Sequence, residues 1–352
     1  MAGLKYKILQ AGFEGLAATR LSGLIRRLSA SKGVIFTLHR VLPEAPAAFA
    51  PNAILQITPD FLEQAILACR DKDIDIVDLT EARKRIEQPG RTKKFAVFTF
   101  DDAYRDNSQY ALPVLQKHGC PFTLFVPTAF PDGEGDIWWQ ALEDIIAQNP
   151  AIEVDLGGTP TEFIAQNTDE KNTAFDEIYW HMRKMPEHDR VKLMHGLADR
   201  YGYDLGKQCR ELIMSWEELQ TVAQEPLCTI GAHTVHHYEL KKLLADEARD
   251  EIKTSFDVLE QRLGKRPTHF SYPLGGPLSA GKREFEIAAD LGVETAVTTR
   301  PGGLYHDHAQ HLTALPRVSL NGHFQKQRYL DVFLTGAVFT AQAGMKKVNV
   351  DG

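Results

Sequence analysis

The sequence predicts an α/β fold in which parallel strands close into a barrel. Short β-rich runs alternate with helical stretches along most of the chain, the pattern of a parallel sheet assembled from strand–helix units. About eight such runs can be counted, which suits a closed barrel better than an open doubly wound sheet. No GxGxxG follows the first run, so the dinucleotide-binding form of the open sheet lacks its signature.

The runs span 33–38, 74–79, 95–100, 122–127, 227–232, 268–273, 294–299 and 314–320, each carrying β-branched or aromatic residues. Helices are expected between most of them. One starts at Thr58-Pro59-Asp60, where Thr58 can cap and Pro59 fits the first turn, with Phe61, Ala65 and Leu67 facing inward. Another covers 246–263, with Ile252, Phe256 and Leu259 as its apolar stripe and Gly264 as its stop. Residues 132–218 read as a helical insertion after the fourth run, beside the barrel mouth, with no convincing strand. Residues 4–28 read as a basic amphipathic helix, with Leu4, Ile8, Ala11, Leu16, Leu21, Leu24, Ile25 and Leu28 on one side. We expect it to pack on its own domain; contact with an anionic membrane surface is the alternative. The whole chain, 1–352, reads as one domain, with the barrel over about 33–320 and a C-terminal helix and tail over 328–352.

A net charge of −7 offers no basic field for nucleic acid. Cys69, Cys120, Cys209 and Cys228 form no CxxC and lie in or beside apolar stretches, which points to buried free thiols and a reducing compartment. No apolar run reaches the ~20 residues needed to span a bilayer. Lys5, Lys7 and Glu14 interrupt any signal-peptide core, so a cytoplasmic location is expected.

In such barrels reactive groups stand at the C-terminal ends of strands. The rule selects two places. The first is Asp101-Asp102, directly after the run 95–100. Adjacent carboxylates at a strand end need something positive nearby. A divalent cation can take one as ligand and leave the other as a base; capping of the next helix is the plain alternative. The second is His233-Thr234-Val235-His236-His237, after the run 227–232. His233 and His237, four apart, would share a face of a helical turn and can bind one metal, with His236 a competitor at spacing three. One Asp with two His, leaving positions open for water and substrate, is a hydrolytic metal set.

These residues and the text around them, FAVFTFDDAYRDN, LPVLQKHGCPFTLFVP and IGAHTVHHYEL, resemble the polysaccharide deacetylases of the NodB-homology class, carbohydrate esterase family 4. The family's TFDDG motif stands here as TFDDA at 99–103, and its H-[S/T]-x-x-H motif as HTVHH at 233–237. The resemblance covers roughly 33–320. It implies a distorted, TIM-like (β/α) barrel and a divalent metal, most often zinc. It further implies hydrolysis of N-acetyl or O-acetyl groups on a carbohydrate, here an N-acetylglucosamine-containing glycan. Carried over residue by residue, it implies Asp101 as general base and Asp102, His233 and His237 as metal ligands, with His236 a bystander.

The R-x-P-Y-G motif is matched in part by Ser271-Tyr272-Pro273-Leu274-Gly275. There the Leu274 backbone N–H can serve an oxyanion, since that role needs no side chain. Ser271 stands where the family has Arg, and Arg317 is the candidate replacement. Arg317 is also expected to face substrate, with Trp138 and Trp139 as stacking platforms for sugar rings; core packing is the alternative for the tryptophans. No Asp-and-Trp motif stands near 294–300 and no clean L-x-x-H follows. The general acid is therefore assigned to His39, after the first run, with His311 second; His306 and His308 read as solvated loop. Three further readings stay open: a same-fold hydrolase of a small cyclic amide or imide, a non-catalytic glycan-binding relic, and a membrane-associated protein acting on a lipid-linked sugar, suggested only by the basic first helix.

Overall fold

Strands that are apolar on both faces must be covered on both, and the chain does this by closing a ring. The computed structural model describes residues 10–16, 25, 29–336, 338–339 and 346–350. The ring consists of β1 (Gly33–Leu38), β2 (Phe95–Phe100), β3 (Phe122–Val126), β4 (Cys228–Ala232), β5 (His269–Ser271), β6 (Thr295–Pro301) and β7 (Leu315–Ser319). Each pairs in parallel with the next, and β1 pairs with both β2 and β7, which closes a seven-stranded barrel. Phe36 sits opposite Phe98 on one side and Val318 on the other.

The period of two along each strand divides the ring into an outer and an inner face. Val34, Phe36, Leu38, Ala96, Phe98 and Phe100 join the large apolar cluster shared with the helices. Ile35, Val97, Phe125, Val297 and Leu315 form a separate inner cluster. Continuing the inner series upward gives Thr37 and Thr99, then His39 and Asp101 just past the strand ends. The same parity runs from Gly231 to His233 and from Leu315 to Arg317. Gly231 is required there, because a Cβ would stand 2.4 Å from the Phe125 ring.

The expected strand at 74–79 is corrected. Only Asp75–Ile76 is extended, and it pairs with the first residues of β2, outside the ring, while β3 registers with Phe98–Phe100. The Asp78 side chain accepts from the Glu81 N–H and starts the helix Leu79–Glu87, which ends the strand early. The insertion consequently follows the third ring strand rather than the fourth. It also contains strand: Ala151–Asp155 pairs antiparallel with Pro160–Ile164. Otherwise it is helical, with helices Trp138–Gln148, Thr168–Met182, Glu187–Tyr201 and Leu205–Leu212 around their own apolar cluster.

Thr58 caps the helix Pro59–Asp71 as expected, accepting from the Phe61 N–H at 3.2 Å. Phe61 and Ala65 are buried, but Leu67 is 40% exposed, since Leu62, Ile66 and Cys69 complete the inward face instead. The helix Ala245–Leu263 buries Ile252, Phe256 and Leu259 and stops at Gly264, whose φ is +77°. Of the proposed 4–28 helix, residues 10–16 are described and helical; the remainder lies outside the described residues. Phe13, rather than Ala11, is buried there, edge-on to Phe324 and Phe333 at 5.1 and 5.4 Å. Glu14 binds Lys326, Arg328 and Tyr329 around the helix Gln327–Phe333. The four cysteines are free. No described helix is long and apolar enough to cross a membrane.

Candidate active site

Asp101 continues the inner face of β2, so its carboxylate points into the top of the barrel and is 2% exposed. Asp102 next to it adopts φ +75° and Ala103 φ +58°, a left-handed turn that sends the second carboxylate elsewhere. Five of the six described non-glycine residues with positive φ are Asp102, Ala103, Thr234, His237 and Leu274, all at three strand ends around one cleft. Each such residue costs on the order of 1–3 kcal/mol, which the surrounding packing must offset.

His233 and His237 do come together, but not on a helical turn. Residues 233–237 form an irregular bend in which the Thr234 hydroxyl accepts from the His237 N–H at 2.9 Å, and the two rings lie 4.9 Å apart. Asp102 Oδ1 is 3.4 Å from His233 Nε2 and 3.3 Å from His237 Nε2, all three side chains being buried. One ligand atom from each residue falls within 4.8 Å of the others. Asp102 Oδ1 has no hydrogen-bond partner. His233 Nδ1 lies 2.6 Å from the Ser271 carbonyl, which can only accept; this fixes the tautomer and leaves Nε2 free to ligate. A buried orphan carboxylate oxygen facing two imidazole nitrogens suits a divalent cation such as zinc, and the residues present fit one. Burial works to raise the Asp102 pKa, but the His237 charge and the neighbouring imidazoles outweigh it and hold the carboxyl below its usual range.

His236 points away. Its Nδ1 meets Glu251 at 2.6 Å, and Glu251 also accepts from the Val235 and His236 N–H groups, which holds the loop in shape.

Arg317 lies beneath Asp101. Its Nη1 donates to Oδ1 at 2.8 Å and its Nη2 to Oδ2 at 2.6 Å, and Nε donates to the Thr298 carbonyl. The expectation that Arg317 faces substrate is corrected: its side chain is 0% exposed and does not line the cleft. It occupies the barrel interior because Leu315 and Arg317 share the inner face of β7. The Ser271 hydroxyl, accepting from Arg317 at 3.1 Å, fills the place a longer side chain would crowd. Burial would raise the Asp101 carboxyl, but the Arg317 charge and hydrogen bonds hold it below the ordinary value.

His39 lines the same cleft as Asp101, Asp102, His233 and His237. Burial lowers its pKa, against the pull of both aspartates. His311 is corrected: it precedes β7 and so lies at the opposite, N-terminal end of the barrel. His308, expected in solvated loop, is fully buried at that same end. Leu274 has φ +57°, and its carbonyl accepts from the Thr299 hydroxyl. Gly275 beside it cannot carry a side chain, since a Cβ would stand 2.7 Å from the Thr299 nitrogen. Trp138 and Trp139 belong to both the insertion core and the cleft wall. Trp139 donates to the Tyr104 hydroxyl at 3.1 Å and lies 4.9 Å from the His237 ring, while Trp138 stacks on Tyr179 at 5.1 Å.

Tyr104, Asn52 and Tyr179 were not anticipated at the site. Tyr104 stands two residues past the aspartates, a usable signal; nothing local marks Asn52.

A family model described as polysaccharide deacetylase matches residues 88–296, which include both aspartates and the histidine pair. The chain belongs to the polysaccharide deacetylases. A family member assigned as a polysaccharide deacetylase, YxkH of Bacillus subtilis (strain 168), is 22% identical over 228 residues, covering 65% of this chain. The chain spans about half, 53%, of the length of that relative. Two solved structures share the fold. The deacetylase PplD of Streptococcus pyogenes, in complex with acetate, has a TM-score of 0.56 at 18% identity, covering 86% of this chain and 97% of that one. IcaB from Ammonifex degensii has a TM-score of 0.53 at 18% identity, with the same coverage of both chains.

Proposed function

We propose that this polysaccharide deacetylase hydrolyses acetyl groups, chiefly N-acetyl, on an N-acetylglucosamine-containing carbohydrate, with zinc as its divalent cofactor. One observation carries the reading: a carboxylate gripped by a buried arginine stands beside a buried Asp-His-His donor set in a single cleft.

Asp102, His233 and His237 would hold the cation, which when bound polarises an acyl oxygen and eases deprotonation of water. Asp101, kept ionised by Arg317, accepts a proton from the attacking water as its oxygen bonds to the acyl carbon. The Leu274 N–H donates to the oxygen that gains negative charge. As the C–N bond breaks, the nitrogen keeps the electron pair and takes a proton from His39, giving acetate and a free amino sugar. Tyr179 and the cleft-lining edges of Trp138 and Trp139 border the sugar ring.

The test is acetate release from a panel of N-acetylated sugars by the protein with and without added zinc. Zinc-dependent acetate release is expected. A folded, zinc-bound protein that releases no acetate from any of them overturns the reading.

A further inference from the structure

The 3-10 turn Pro51–Leu55 forms a strap along one wall of the cleft, and it is fastened on both sides. Toward the insertion, the Asn52 N–H donates to Glu143 at 2.8 Å and the Asn52 side-chain amide donates to the Trp139 carbonyl at 2.7 Å. Phe49 and Leu55 pack against the insertion's apolar cluster. Toward the segment after β7, the Ala53 carbonyl fills the space a Cβ would need at Gly322, and the Gln325 side chain accepts from the Thr58 N–H at 2.8 Å. Asn52, Ile54 and Leu55 line the cleft together with Leu274, Thr299, Trp138, Trp139 and Tyr179. The cleft holds about 100 Å³. That is room for an acetamido group, so the ring that bears it lies at the cleft's opening, against the strap and the insertion.

A polymer that is hydrolysed at an internal residue must run through a groove open at both ends. Here Asn52 joins the strap to the insertion, so that the two make one continuous wall on one side of the reacting groups. Resting on the deacetylase reading above, we infer that the site accepts one N-acetylated sugar, at a chain end or on a small aglycone, and excludes internal residues of a polymer. The strap is the specificity-determining element, and Asn52 with Glu143 is its fastening.

The experiment uses β-linked N-acetylglucosamine oligomers from the dimer to the hexamer, with mass spectrometry locating each lost acetyl group. One end residue per chain should be deacetylated, and internal positions should react at least about 100-fold more slowly, the scale of loss when a reacting centre is misplaced. Internal deacetylation at a rate comparable to the end overturns the inference while leaving the deacetylase reading intact. No acetate from any oligomer or from the monosaccharide refutes that reading, and end selectivity falls with it. The double variant Asn52→Ala/Glu143→Ala, checked for folding by its melting temperature, should gain internal deacetylation. A folded double variant that keeps full end selectivity overturns the role given to the strap.

Discussion

Arg317 grips Asp101 with two parallel hydrogen bonds of 2.8 and 2.6 Å, across 216 positions of sequence and with both side chains out of contact with water. A fork of this kind fixes direction as well as charge. Arg317→Lys keeps the charge and loses the fork. It should lower kcat by about 100-fold, the scale of a misplaced catalytic group, with little change in KM. Asp101→Asn should leave a folded protein slowed by roughly 10²–10⁴-fold, the usual loss when a general base is removed. The two changes together should be no worse than Asp101→Asn alone. Additive losses in acetate-release kinetics would show that Arg317 acts through something other than Asp101.

The metal should follow three side chains and spare a fourth. Asp102→Ala and His233→Ala should each abolish stoichiometric zinc retention after dialysis. His236→Ala should keep it, because that ring is turned to Glu251. Zinc loss in His236→Ala equal to that in His233→Ala would move the ligand set.

His39→Ala separates acid catalysis from binding. Deacetylation of an amide, whose nitrogen must be protonated to leave, should fall by roughly 10²–10⁴-fold. An aryl acetate, whose leaving group needs no proton, should be cleaved at nearly the wild-type rate. Equal losses on both substrates would remove His39 as the acid.

Two buried histidines far from the metal ligands predict acid sensitivity. Burial pushes His269 and His308 down from 6.5 to about 4, and His308 Nε2 has no partner. Below 6.5 the unfolded chain takes up protons that the folded chain refuses until about 4, so stability falls as pH drops through that window. Each group should remove about 2 kcal/mol between its free value and about pH 5. His308→Phe should roughly halve their joint contribution to the drop, read from urea unfolding at the two pH values. An undiminished drop would show that His308 carries none of it.

The sequence by itself determined most of the ring and the chemistry at its rim. Short apolar, β-rich runs, a Thr-Pro start at Thr58 and a glycine stop at Gly264 are local signals, legible because each depends on neighbours a few residues away. The same locality made Asp101-Asp102 and the histidine pair readable at strand ends. Tertiary structure decided the rest. Whether residues 74–79 join the ring depended on Asp78 capping the next helix, and the hairpin Ala151–Asp155/Pro160–Ile164 was hidden by its polar, exposed second strand. His39 and His311 both adjoin strands; only the parallel direction of the ring puts one at the reacting end and the other at the far end. The grip of Arg317 on Asp101 and the fastening of the Asn52 strap were not decided locally, because the partners lie on segments that only barrel closure and the docking of the insertion bring together.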